Sequence, residues 1–380
     1  MQNMLQEFLS PISESLMLDC EEYSLGFVVP AFVTDFPDWS DAHLAIIGVC
    51  DGRASGKNKE TGTAPSIIRK ALYQLIKHSD HLKIVDLGDI KQGNSIQDTE
   101  FALQEVARTI LSEGVIPIIL GGSVELSFAQ FASFQKIKTN VEASIIAPKI
   151  NLKPDGFLQR MCLFEPNILF NLNLMGYQSH YVKLENVAAL QKMFFEPVRL
   201  GVLRTKLNEM EPTLRNSDVV MFDVGAIKQA DAPGNYYNNP NGLTSEEACQ
   251  LAWYSGISEK MRSFGVYEIN PEYDYRKTTT KLAAQMIWYF IDGFYHRRGD
   301  HPELHSEFLK YRCTMNGKNP DIVFYKSKRT DRWWMEVPNP HPFGSNSKSV
   351  VLPCTYADYT TATSGEMPDR FFKALQKMPK

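Results

Sequence analysis

No stretch of the 380-residue chain approaches the roughly 18 uninterrupted apolar residues of a membrane span. Its opening, MQNMLQEFLSPISESL, has neither the basic start nor the apolar block of a secretory signal, so a cytoplasmic protein is expected. An excess of one charge is also lacking. A net charge of −4 and a pI near 6.1 leave no electrostatic footprint for nucleic acid or for an anionic membrane. The six cysteines (Cys20, Cys50, Cys162, Cys249, Cys313 and Cys354) show no C-x-x-C spacing, which argues against a zinc site and against a compact disulfide framework. Buried, reduced thiols are expected. Gly121-Gly122-Ser123 lacks the third spaced glycine of a dinucleotide fingerprint, and Gly52-x-x-x-Gly56-Lys57 is too short for a phosphate loop. Internal repeats and low-complexity linkers are missing as well.

What is present is a large core. A hydrophobic share of 43% over this length suffices for one big α/β domain or two smaller ones. Leu44–Val49, Lys83–Leu87, Val115–Leu120, Glu142–Ala147, Ser263–Ile269 and the run from Ser217 that reaches Asp223 are short apolar runs of the kind buried on both faces of a sheet. Helical patterns separate several of them: Ser66–Lys77, an amphipathic Asp98–Ser112, and a helix running to about Lys260 whose start is capped by Thr244 with Glu247. Strand–helix–strand alternation implies right-handed crossovers and a parallel sheet. Ile168–Phe170 and Gly176–Ser179 are expected as two short strands, and Lys281–Tyr295 as a strongly apolar helix.

The chemistry points to one stretch, Ser217–Gly234, where a buried strand reaches Asp223 and breaks at Ala232-Pro233-Gly234. Open α/β sheets place ligand sites beyond such strand ends. Asp223 either caps the following turn or faces a ligand, and the residues alone leave both readings open. Two other strand ends share the pattern: one leads into Gly121-Gly122-Ser123-Val124-Glu125, the other into Ala147-Pro148-Lys149-Ile150-Asn151.

These segments resemble the signature motifs of the arginase, agmatinase and formimidoylglutamase family, the ureohydrolases. The Gly-Gly-Asp-His-Ser motif aligns with Gly121 to Glu125, Asp-Ala-His-x-Asp with Ala147 to Asn151, and Ser-x-Asp-x-Asp-x-x-Asp-Pro with Met221 to Gln229. Gly62, Pro65 and Arg69, Gly242-Leu243-Thr244 and Glu268-Ile269-Asn270-Pro271 match the family as flanks, and the similarity covers roughly residues 40 to 295. The resemblance implies a three-layer α/β/α fold around a central parallel sheet. It also implies a homo-oligomer, a small guanidino, amidine or amino-acid ligand, and a role for Glu268 in orienting a guanidinium nitrogen.

In the family, two His and four Asp hold a pair of manganese ions that activate a bridging water. At those positions this chain carries Val124, Ala147, Lys149, Asn151, Asp223 and Gly225, and Lys228 replaces a further motif Asp. Val, Ala and Gly offer no side-chain donor and an ammonium repels a cation. The expectation is therefore a chain with no cofactor and no metal site. A pseudoenzyme that binds a ligand or partner around Asp223, Glu268, Lys149, Lys228, Ser123, Glu125 and Asn151 is expected, with no catalytic residue assigned. The alternative is a C–N hydrolase with a rebuilt site, in which Glu125, Asp223 and Glu268 bind one cation or Lys149 acts as a base. Each lysine either enters the site or points to solvent.

In outline, residues 1–40 are read as a lead-in packed on the main domain, 41–299 as the arginase-like α/β domain, and 300–380 as an extension integrated with it. A solvated helix start is expected at His301–His305. Asp321–Lys326 and Arg332–Val337 are expected to form a β-hairpin. Its Trp333 and Trp334 should point to opposite faces.

Overall fold

A computed structural model describes residues 2–79, 81–302, 307–315, 320–338 and 349–377. Nine strands form one sheet: β1 (Leu9–Ser10), β2 (Leu44–Val49), β3 (Ile84–Ile90), β4 (Ile116–Leu120), β5 (Val141–Ile146), β6 (Leu169–Tyr177), β7 (Glu196–Arg199), β8 (Val219–Asp223) and β9 (Ser263–Tyr267). Their spatial order is β1-β3-β2-β4-β9-β8-β5-β6-β7, and every pairing is parallel except that of β1 with β3.

The apolar runs are explained by two-sided cover. Along β2, Ala45, Ile47 and Val49 enter one core while Leu44 and Ile46 enter the other. Helices Ile96–Ser112 and Ser127–Ala132 pack on the first face; Ala64–Leu72, Ser245–Gly256 and Thr278–Tyr295 pack on the second. The capping box of Thr244 and Glu247 forms as expected, with both reciprocal bonds present. Among the described residues, no helix is long and apolar enough to cross a membrane.

Consecutive strands β4 and β5 do not sit side by side; β9 and β8 fill the space between them. The loops leaving β4 and β5 therefore diverge around the ends of β9 and β8, and the crevice of an open α/β sheet lies at such a place. Register aligns the ends: Leu120 is opposite Val266, Asp223 opposite Tyr267, and Ile146 opposite Phe222.

Two strand assignments differ from expectation. The expected short strands at 168–170 and 176–179 overlap the two ends of the single strand β6, whose Asn171 and Asn173 interrupt the apolar run because their amides serve polar side chains on the neighbouring strand β5. Asn171 donates to Glu142 Oε2 at 3.5 Å and Asn173 to Ser144 Oγ at 3.2 Å. Edge strand β7 has four residues, one of them Pro197, and so gave no strand signal.

The expected hairpin exists and is larger. β10 (Phe308–Cys313), β11 (Ile322–Ser327), β12 (Trp333–Val337) and β13 (Val350–Cys354) form an antiparallel sheet in that order, covered by helices Tyr356–Thr363 and Asp369–Lys377. The helix start expected at 301–305 falls partly outside the described residues. Trp333 and Trp334 do face opposite sides. Trp333 stacks on Tyr359 at 4.8 Å between centroids, inside the small sheet's own core. Trp334 lies under the Arg215 guanidinium, 4.3 Å from its ring centroid.

Arg215 is the bolt between the two sheets. Its side chain is 5% exposed; it pairs with Glu211 at 2.9 Å and donates to the carbonyls of Trp333 at 3.1 Å and Cys354 at 3.4 Å. Arg332 joins the same Glu211 at 3.5 Å. Removing one partner of a buried charge pair leaves the other without its counter-charge, at a cost of about 3–5 kcal/mol. Arg215→Ala is therefore expected to destabilise the protein by about 3 kcal/mol and to open residues beyond 300 to limited proteolysis before the rest. Denaturant unfolding together with mapping of the first cleavage sites checks this.

Candidate functional site

The site begins with two glycines. Gly121 and Gly122 have φ of +74° and +77°, and a Cβ at Gly122 would stand 3.0 Å from the Val49 carbonyl oxygen. Only glycine turns the chain so sharply this close to backbone. The turn brings Ser123 and the Val124 N–H over the end of β9, where Glu268 lies.

Glu268 is 6% exposed and adopts φ +66°, a left-handed conformation that costs a branched or long side chain energy. The surroundings hold it there. Its carboxylate accepts from Ser55 Oγ at 2.9 Å, Asn58 Nδ2 at 2.8 Å, Val124 N at 2.9 Å and Ser123 Oγ at 3.4 Å. Its carbonyl accepts from Asn58 Nδ2 at 3.1 Å and Asn235 Nδ2 at 3.0 Å, and its N–H donates to the Gly122 carbonyl at 3.1 Å. Burial raises the pKa of Glu268, and the bonds from Asn58, Val124, Ser55 and Ser123 oppose that rise.

Asp223 is half-buried at the end of β8. Its Oδ1 accepts the Gly225 N–H at 2.7 Å and so caps the turn at 224–226. The turn-capping reading is thus met, and the same carboxyl also lies in the field of Glu268 and Lys149. Burial and the Glu268 charge push its pKa up to about 7, against the Gly225 bond and the attraction of Lys149.

Lys149, exposed on the loop after β5, places its ammonium 4.4 Å from the Tyr237 ring centroid and 5.5 Å from that of Tyr181. The other expected site residues part company with this group. Lys228 pairs with Asp231 at 3.4 Å within its own turn. Glu125 pairs with Lys153 at 2.6 Å and accepts the Phe157 N–H at 2.8 Å, so it organises the loop after β5. Ser123 contributes through Glu268, and Asn151 is exposed.

Ser55, Asn58 and Asn235 were missed by sequence reasoning. They lie in polar loops whose composition resembles any surface turn, and only the fold shows that two of them reach the carboxylate and Asn235 the carbonyl of a residue more than 30 positions away. Arg69 has a structural role: fully buried, it binds Asp86 at 2.7 Å and Asp89 at 2.5 Å, tying helix Ala64–Leu72 to β3.

A family model described as the arginase family matches residues 42–146 and 190–292, more than half of the chain. The chain belongs to the arginase family. The formimidoylglutamase of Clostridium tetani is 25% identical over 277 residues, covering 66% of this chain and 82% of that protein. Among solved structures, Trypanosoma cruzi formiminoglutamase with Mn2+2 superposes with a TM-score of 0.64 at 19% identity, covering 70% of this chain and all of that one. Formimidoylglutamase from Bacillus subtilis gives 0.62 at 20% identity, covering 70% and 94%. The chain is thus an arginase- and formimidoylglutamase-like member of the ureohydrolases with the expected fold.

These likenesses correct one expectation. A chain without a cofactor was expected from the motif substitutions, but it belongs to a family that binds a manganese pair, as the T. cruzi protein does in its structure with Mn2+2. Lost motif side chains are not lost binding, because divalent ions also take amide, carbonyl and water oxygens. Of the six aligned positions only Asp223 presents a carboxylate, and among the described residues no three His, Cys, Asp or Glu side chains converge. The motif donors therefore do not fit the pair as the family holds it, and a pair bound here would draw on other oxygens.

The raised pKa of Asp223 has a consequence for stability. The folded chain holds this proton more tightly than an unfolded one, whose carboxyl titrates near 4. Stability is therefore lost as pH rises from about 4 to about 7, and the penalty of the ionised group persists above that. Asp223→Asn keeps an acceptor for Gly225 without the charge. It is expected to stabilise the protein at pH 8 by on the order of 1–3 kcal/mol and by little at pH 4, as measured by denaturant unfolding at both values.

Proposed function

We propose that the chain is a ureohydrolase-like protein that binds a small ligand in the crevice at the ends of β4, β9, β8 and β5 and does not turn it over. The observation that carries this reading is the state of Glu268. In the family resemblance this carboxylate orients the substrate's guanidinium, yet here three of the protein's own donors, from Ser55, Ser123 and Val124, crowd Oε1 while Asn58 takes one place on Oε2. A guanidinium that engaged both oxygens would have to displace the donors on Oε1. Lys149 adds a fixed positive charge beside Asp223, which disfavours a cationic group at that position.

A second reading is supported by a different observation. A carboxyl that titrates at about 7 is matched to general acid–base work near neutral pH, and Asp223 is such a group. On this reading the chain hydrolyses a C–N bond of a guanidino or formimino compound through a rebuilt site, with Asp223 taking a proton from water.

Assays of urea release from arginine and agmatine, and of formamide release from formimidoylglutamate, with manganese supplied, separate the two. The first reading expects no release above background from the wild type. Release that is abolished by Asp223→Asn would overturn it in favour of the second.

A further inference from the structure

At the mouth of the crevice two tyrosines carry two lysines. Tyr236 and Tyr237 meet edge to face with 5.2 Å between centroids, the Lys57 ammonium lies 5.6 Å from the Tyr236 ring, and that of Lys149 lies 4.4 Å from the Tyr237 ring. Neither ammonium has a carboxylate within ion-pair distance among the described residues, whereas neighbouring Arg53, Lys153 and Lys228 each pair with an acid. Positive charge at this mouth is therefore not held in ion pairs, although Asp223 lies within the field of Lys149.

The arrangement is anchored in the buried frame. The Tyr236 N–H donates to Asn58 Oδ1 at 2.9 Å and the Tyr237 N–H to Asn235 Oδ1 at 2.8 Å, and both asparagines donate in turn to Glu268. Gly56 has φ +62° and is close enough that a Cβ there would stand 3.4 Å from the Tyr237 hydroxyl. Tyr237 thus spans from the ammonium of Lys149 on its ring face to the backbone beside Lys57 at its hydroxyl. Tyr181 stands 5.5 Å from Lys149, and Tyr273 packs on Tyr236 at 5.7 Å. Aromatic faces hold an ammonium without neutralising it, so each lysine keeps its full charge for a ligand.

We propose that Lys57 and Lys149, held on Tyr236 and Tyr237, form a two-cation clamp that takes a small dianion, a dicarboxylate or a phosphate, into the crevice. This inference rests on the ligand-binding reading proposed for the same site and gives its ligand a charge class. Cationic guanidino compounds would meet two like charges at the entrance, whereas an oxyanion would meet two ammonium groups.

Isothermal titration calorimetry of the full chain with succinate, with inorganic phosphate and with agmatine tests the clamp at low and at high salt. Succinate or phosphate is expected to bind and agmatine is not, and the better of the two anions identifies the source. Each of Lys57→Gln and Lys149→Gln is expected to weaken anion binding roughly tenfold, Lys57→Gln with unchanged melting temperature because its side chain is exposed and free of ion pairs among the described residues, and added salt is expected to weaken wild-type binding. Unchanged affinity in the double variant would overturn the clamp, as would failure of both anions to bind. If agmatine alone bound without turnover, the clamp would fail and the ligand-binding reading would stand. Turnover of formimidoylglutamate would sink that reading itself.

Discussion

One buried residue holds the crevice together: the carboxylate of Glu268 takes two loops and its backbone carbonyl a third. Glu268 ties the loop 51–63 through Ser55 and Asn58, the turn after β4 through Ser123 and Val124, and the loop 235–241 through Asn235. Leaving any of these donors unpaired inside the protein costs about 1–3 kcal/mol, and a buried carboxylate without them would not stay ionised. The positive φ at Glu268 is a local cost that this bonding offsets. Loops that contribute little to the main core are in this way fixed at the place where the sheet opens.

Around that fixed point the electrostatics differ from those the family motifs describe. Asp223 lies where burial and the Glu268 charge favour its neutral form, while the Lys149 ammonium draws it back toward ionisation. The outcome is a carboxyl poised near neutrality rather than a fixed anion. Beyond it, charge at the mouth is cationic and lies on aromatic rings rather than on acids. The fold survives such changes because its stability resides elsewhere, in two-sided burial of the nine-strand sheet and in the Arg69 pair with Asp86 and Asp89.

Much of this was legible in the sequence. Strand runs such as Leu44–Val49 and Val115–Leu120, the Thr244 capping box and the convergence of three strand ends all follow from local pattern, because buried parallel strands and helix starts are governed by nearby residues. Asp223 and Glu268 could be placed because each terminates such a run. Lys228 and Glu125 could not, because a charged side chain in a loop takes whichever partner the loop's own path supplies, here Asp231 and Lys153. Ser55, Asn58 and Asn235 carry no periodic signal, and their role exists only through contacts distant in sequence. Asn171 and Asn173 misled the reading of β6 for a related reason: their polar partners come from the adjacent strand.

Hydrogen–deuterium exchange on Glu268→Gln tests the keystone role most directly. Glutamine keeps the shape of the side chain but replaces one acceptor oxygen with a donor, which would face existing donors. The account predicts that amides in 55–61 and 123–126 lose protection together while strands β2, β4 and β8 keep theirs, and that 235–239, held through the Glu268 backbone carbonyl, changes less. Unchanged exchange in 55–61 and 123–126, or loosening of one without the other, would contradict the claim that this carboxylate ties the two loops together.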